Sequence, residues 1–308
     1  MPNALNYAAQ YSEALAQAYP FVLYFGDLYA TPNNGRYRMG EDGKSVYIPH
    51  ITTTGRVDSN RDTIAMATRN YDNAWELKPL THHRKWSTLV HPKDIDQTNH
   101  VASIQNITRA YNEQQKFPEK DAYLISTLYK LWTSTDSGDA TKVAKTADNT
   151  ALTVNNILSV IDNLMLNMDE ARVPVDGRIL YCTNSVKNLI KNAATIQRSY
   201  DVQTNDSVIN RAVSRLDELK IVGVPAALMK TKYVFTTGWA VADDALQINM
   251  MIVHPSAVIT PESYEFATLD APSGVTEGKY LYFEESDEDV FILNQRADAI
   301  QFNITTNP

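Results

Sequence analysis

Residues 173–190, "VPVDGRILYCTNSVKNLI", read as a turn, a strand and a helix in succession. Pro174 ends the helix before it, Gly177 allows the turn, "RILYC" is a run of strand formers, and a helix follows over about 184–194. The stretch also holds the chain's only cysteine, Cys182. Two readings stand side by side: Cys182 is a nucleophile activated by the helix N-terminus that follows it, or a small apolar residue packed into a scaffold. No histidine adjoins it in sequence, and the nearest basic group on the strand is Arg178.

On the N-terminal side lies the clearest helix of the chain, "TALTVNNILSVIDNLMLNMDEAR". Val154, Ile157, Leu158, Ile161, Leu164, Met165 and Met168 fall on one stripe, which is core-packing spacing. On the C-terminal side the pattern predicts a helix at about Ser207 to Leu219 and then a strand in "KIVGVPAAL". Together these form a compact α/β region. Beyond about residue 240, "LQINMMIVH", "KYLYFEE", "DVFILNQ" and "AIQFNIT" are short strand-like runs at hairpin spacing.

The N-terminal third has a different character. Residues 1–30 show short amphipathic pieces without a sustained helical face, an arm expected to order against something else. Residues 31–92 contain turn chemistry in "TPNNGRYRMGEDGK", an alternating strand in "SVYIPHI", a polar tip in "TTTGRVDSNRD" and a second extended arm in "AWELKPLTHHRKWSTLVH". These sixty or so residues hold too few apolar positions for a core of their own. They predict a long projecting hairpin whose partner is another molecule. From Asp96 the period turns helical through Val101, Ile104 and Tyr111, with Asp96 or Thr98 as N-cap, and Pro118 is expected to stop or kink that helix. A further helix follows in "PEKDAYLISTLYKLW", and "TSTDSGDATKVAKTADN" is loop.

With 308 residues, 44% of them hydrophobic, the chain can bury a sizeable core. A formal charge of -8 argues against a sequence-specific nucleic-acid binder. The segment "ALAQAYPFVLYFGDLYA" is cut by Pro20, Gly26 and Asp27, so neither a signal peptide nor a membrane span is expected, and the chain is predicted to fold in a cytoplasm. His82 and His83, adjacent on a strand, point to opposite faces and do not suit one metal ion. "EESDED" at 284–289 lacks the glycine and spacing of a calcium loop and reads as a solvated turn between strands. Neither a phosphate-binding loop nor a catalytic motif is present, so no enzyme, cofactor or metal is predicted.

Several segments, taken in order, resemble the major capsid proteins of tailed bacteriophages with the Hong Kong 97-like fold, in the siphophage branch of Gram-positive hosts. "VYIPHITTTGRVD" followed by "LTHHRKWSTLVHPKDIDQT" is similar to that branch's return arm, with Arg84, Asp94, Asp96 and Thr98 in its pattern. "FPEKDAYLISTLY" resembles its Pro-Glu-x-Asp-Ala-Tyr element at Pro118, Glu119, Asp121, Ala122 and Tyr123. Val173, Pro174, Gly177 and Arg178 match its Val-Pro-x-x-Gly-Arg element, and "DVFILNQRADAIQFNI" is similar to its closing strands.

The resemblance implies an α+β fold with an N-terminal arm (1–33), an extended E-loop (34–95), a spine helix and peripheral domain (96–173), an axial domain (174–250) and strands returning largely to the peripheral domain (251–308). It implies a non-enzymatic subunit of the virion that self-assembles into hexamers and pentamers around double-stranded DNA without binding it specifically. Portal and a separate scaffolding protein are the further partners, with no membrane involved. Arg36, Arg38, Trp75, Arg84 and Trp86 are the candidate intersubunit contacts, since arginine and aromatic side chains favour interfaces. The alternatives are an encapsulin-like compartment shell and a cytosolic enzyme using Cys182.

Overall fold

The computed structural model describes residues 21–41, 43–56, 69–97, 103–134, 144–193 and 213–305. Its elements are a mixture of helices and mainly antiparallel sheets. Strands β1 (Ser45–Thr53) and β2 (Tyr71–Pro79) pair antiparallel over their whole length as the expected hairpin, with Arg38–Met39 on the outer edge of β1. The second extended arm does not stay in this hairpin. After Leu80 and Thr81 it becomes β3 (His82–Val90), the edge strand of another sheet. The reason is local: the Leu80 amide donates to the Lys44 carbonyl and closes the hairpin, while the Thr81 amide turns to the Asp289 carboxylate.

The helical region begins at α1 (Ile104–Tyr111), capped by the Ser103 hydroxyl, rather than at Asp96. Asp96 belongs to a separate short helix, Pro92–Gln97, and the other expected cap, Thr98, lies outside the described residues, as does Val101. Pro118 does not stop the helix. Residues Asn112–Lys116 form one wider π turn that joins α1 to α2 (Phe117–Thr133), and Pro118 follows directly on this break in the regular i to i−4 ladder.

Helix α3 (Ile157–Glu170) buries Ile157, Ile161, Leu164 and Met168 of the expected stripe and Val160 beside it, while Leu158 and Met165 are half-buried at its margin and Val154 lies half-buried before the helix. Strand β4 (Ile179–Thr183), helix α4 (Asn184–Asn192) and strand β5 (Leu219–Val224) follow, with β4 and β5 parallel. The helix expected at 207–219 is corrected. Residues 207–212 lie outside the described set, and the remainder is a tight hairpin of Arg215–Leu216 against β5. Asp217 makes its turn at φ 50°, a left-handed conformation that Asp tolerates better than most side chains. Leu216 and Leu219 pair across the turn, and their spacing of three also suits one face of a helix, which is why the stretch reads as helical in sequence.

Strands β6 (Gln247–Val253) and β9 (Ile300–Thr305) complete a five-stranded sheet in the order β9, β6, β4, β5 and the Arg215–Leu216 edge. Every residue of β4 is buried. Ile179 and Tyr181 face a core made with α2, Phe25 and Leu28, while Leu180 and Cys182 face the core made with α3 and α4. A strand covered on both faces loses the polar alternation of a half-exposed strand, which is why "ILYCT" is a solid apolar run.

Two further long strands, β7 (Glu262–Asp270) and β8 (Tyr280–Glu288), build a three-stranded sheet with β3 at the far edge. "EESDED" is therefore not a turn. Its first five residues end the central strand β8, and Glu288 and Asp289 are buried. The run escapes prediction because Glu284, Asp287, Glu288 and Asp289 find partners on distant elements. Among the described residues no helix is long and apolar enough to cross a membrane.

Candidate assembly surface

The hairpin has one rooted end and one projecting end. Residues opposite one another share a face, so Tyr47, Pro49, Ile51 and Thr53 line up with Leu77, Trp75, Asn73 and Tyr71, while Val46, Ile48, His50 and Thr52 occupy the other side with Lys78, Glu76, Ala74 and Asp72. Val46 and Ile48 sink into a small core with Leu80, Ile259 and Phe291, which roots the hairpin. Beyond Ile48 every residue of β1 is exposed. On the first face Ile51 is 68% exposed, Tyr71 56%, Leu77 54% and Trp75 53%, an apolar stripe left largely uncovered, with the Arg69 guanidinium 5.6 Å from the Tyr71 ring at its end.

Arg38 pairs with Tyr47 and so borders this stripe, and Arg36 lies exposed just before it. Thus Arg38 and Trp75 are brought together on one surface. Ile51, Tyr71 and Leu77 were absent from the sequence-derived contact set. The signal that finds them is the pairing register, since period-two alternation selects a face only once the opposite residue is known.

Arg84 and Trp86 occupy different surroundings. Along β3 the side chains alternate, and those at 82, 84 and 86 turn toward the helices. Trp86 stacks on Tyr111 of α1 with ring centroids 3.9 Å apart and planes at 8°. Arg84 forms an ion pair with Glu119 and donates to the backbone carbonyl of Phe235 at 2.7 Å. His82 lies buried against Tyr123, with rings stacked at 3.7 Å. Burial, helped by the charge of Arg84, pulls its imidazole down to about 3, so it is neutral near neutral pH. His83 points the other way and meets Asp287 at 2.6 Å. The two histidines are on opposite faces, and among the described residues no cluster of three metal-ligating side chains forms.

The segment Pro118 to Tyr123 is the junction of the molecule. Glu119 reaches back to Arg84 on β3, and burial raises its carboxyl while Arg84 acts to lower it. Asp121 accepts the amides of Tyr24 and Phe25 at 2.9 and 3.2 Å. The Tyr123 hydroxyl donates to Asp289 at 2.8 Å, and the same carboxylate accepts the amide and hydroxyl of Thr81. One turn and a half of helix thereby holds the N-terminal segment, the return strand and the closing strands. Between them, Lys116 meets Glu284 at 3.4 Å and Lys120 meets Glu288 at 2.7 Å, which ties α2 and its π turn to β8. Arg178 plays the same part for α3: wholly buried, it donates to Asp169 and to the carbonyls of Val173 and Pro174 at the helix C-terminus.

Cys182 belongs to none of these surfaces. Its thiol is fully buried in the core under α3 and α4, and burial pushes it up to about 12, away from the thiolate that nucleophilic catalysis needs.

No protein-family model and no curated protein matches the sequence. The fold is another matter. The chain is similar over 98% of its length to the subunit in the asymmetric unit of the bacteriophage PhiM1 mature capsid, covering 93% of that chain with TM-score 0.67 and 12% identity. It has the fold of phage capsid proteins. The capsid of the cyanophage P-SCSP1u gives TM-score 0.63 at 12% identity, over 98% of this chain and 93% of that one. A chain from Mycobacterium phage Che8 gives 0.61 at 12% identity, with 98% of each chain covered. A likeness of end-to-end coverage at so low an identity concerns the arrangement of elements.

Proposed function

We propose that this chain is the major capsid protein of a tailed phage, a Hong Kong 97-like subunit of the virion shell that assembles with itself into hexamers and pentamers around double-stranded DNA. The observation that carries the reading is the full-length likeness to capsid subunits at TM-scores up to 0.67. The exposed stripe of Ile51, Tyr71, Trp75 and Leu77 supports it, since an apolar sheet face on a projecting hairpin calls for a covering surface.

In this reading residues 1–33 are an arm, 34–95 the extended loop, 96–173 the spine helix and peripheral domain, 174–250 the axial domain, and 251–308 the closing strands. The hairpin stripe with Arg36, Arg38 and Trp75 contacts a neighbouring copy. Arg84 and Trp86 act at the root, holding the direction in which the hairpin projects. Portal and a separate scaffolding protein are the further partners, DNA is enclosed without sequence preference, and the chain is not an enzyme.

Electron microscopy of the protein made alone and together with the products of its neighbouring genes tests the proposal. Closed particles or capsomers are expected. A monomer under every condition overturns it, and particles filled with a protein cargo in place of nucleic acid convert it to a compartment shell of the encapsulin kind.

A further inference from the structure

Residues 21–35 form a strap that crosses three parts of the fold. Phe25 and Leu28 are fully buried, with the Phe25 ring 4.8 Å from that of Tyr181 on β4. Asp27 pairs with Lys220 on β5 at 2.6 Å, the Tyr29 hydroxyl donates to the Lys120 carbonyl of α2 at 2.8 Å, and the Asn33 amide donates to the Ser256 carbonyl at 2.7 Å. At its centre is Asp121, whose two carboxyl oxygens receive the consecutive amides of Tyr24 and Phe25.

Asp121 is wholly shielded from solvent. Among the described residues no lysine, arginine or histidine pairs with it, and its partners are the two amides alone. The groups facing it are phenols: Tyr29 from the strap, Tyr181 from β4 and Tyr233 from the short strand Tyr233–Val234. The Tyr181 hydroxyl is itself buried without a hydrogen-bond partner. The charges around this ring do not neutralise the carboxylate. Lys120 is engaged by Glu288, Lys220 by Asp27, and Glu262 adds negative charge near Tyr29.

A carboxylate taken out of water without a counterion prefers to become neutral, and two amide donors repay only part of the lost hydration. Lifting the strap returns Asp121 to water and to an ordinary carboxyl affinity, about 3.9. We propose that docking of the strap is linked to a proton on Asp121, so that residues 21–35 hold tightly in acid and loosen as the pH rises.

The sign follows from linkage. Burial raises the docked carboxyl to about 7, so the docked form keeps a proton that the lifted form has already released. Docking strength is complete below about pH 4 and is lost as the pH climbs through the docked value, by up to about tenfold per pH unit. The strap adds a tie between α2 and the five-stranded sheet, which also pack on each other directly, so its loosening frees residues 21–35 and leaves that core in place. The inference concerns a single chain and does not depend on shell assembly.

Hydrogen exchange at the Tyr24 and Phe25 amides tests it, in the intact protein and in Asp121→Asn, from about pH 5 to about pH 8 with intrinsic exchange rates divided out. Protection in the wild type should fall steeply with rising pH, and Asp121→Asn, which has no proton to release, should show a flat profile. Identical profiles, or protection that rises with pH in the wild type, overturn the inference. Should Asp121→Asn fail to fold, the carboxyl carbon of Asp121 in aspartate-labelled wild-type protein gives the answer directly. Titration near neutrality supports the link, and titration in the ordinary aspartate range overturns it.

Discussion

Trp86 of β3 lies flat on Tyr111 of α1, with ring centroids 3.9 Å apart. This contact joins the last full turn of α1 to the sheet at the point where the helix widens into its π turn. Trp86→Ala removes the stack and the apolar area beneath it, and should lower stability by about 2 kcal/mol. Denaturant unfolding of the isolated subunit reads the change as a lower midpoint at constant slope.

The Arg84 and Glu119 pair predicts an asymmetric response. Glu119→Gln leaves a partly buried guanidinium without its counter-charge and should cost about 2 kcal/mol. Arg84→Lys should be nearly as damaging despite keeping the charge, because an ammonium group cannot reach Glu119 and the Phe235 carbonyl together with the geometry of a guanidinium. Thermal melts of the two variants side by side check the order.

His82 sets a pH dependence of opposite sign to that of Asp121. Its folded affinity is lowered to about 3, below the free value of about 6.5, so the unfolded chain binds a proton that the folded chain refuses. The stability it contributes is present above about pH 6.5 and is lost progressively as the pH falls toward about 3. Replacing it with Phe, which keeps a ring against Tyr123, should flatten that acid-side loss when unfolding free energy is measured against pH in both proteins.

Trp75→Asp and Leu77→Asp place charges on the exposed stripe of the hairpin. Monomer stability should change by no more than about 0.5 kcal/mol, as for ordinary surface positions, while particle yield should collapse. Sedimentation of the assembly reaction together with melting of the subunit separates these effects. Normal particle yield from both variants would remove the stripe from the interface.

Cys182 should resist alkylation in the folded protein and react fully on unfolding, with labelling tracking the unfolding curve. Cys182→Ala should cost about 1 kcal/mol through the lost packing and leave assembly intact.

Much of the architecture is legible in local pattern. The stripe of α3, the strand and helix of 179–192 and the long hairpin follow from spacing and turn chemistry, because their apolar periodicity and turn residues are read over a few positions each. The errors share a different cause. "EESDED" looked like solvated turn because Lys116, Lys120 and His83, which accommodate its charges, are distant by more than 160 positions in the chain. Pro118 reads in sequence as a stop or a kink, and the helix continues past it through a π turn that cannot be read from propensity.

The candidate site divides in the same way. Trp75 and Arg38 are recognisable by residue type and by their place on a hairpin too polar to have a core. Trp86 and Arg84 have the same composition signal, yet the structure turns both inward to Tyr111 and Glu119. The amino-acid sequence by itself determined the helix of the α3 stripe, the strand and helix of 179–192, the long hairpin and the order of segments that resembles a capsid subunit, since periodicity and turn residues act over a few positions. Tertiary structure alone decided which face of each strand is covered and which buried charges are matched. Those outcomes depend on strand register and on partners far apart in the chain, and a shift of one residue in register would reverse every one of them.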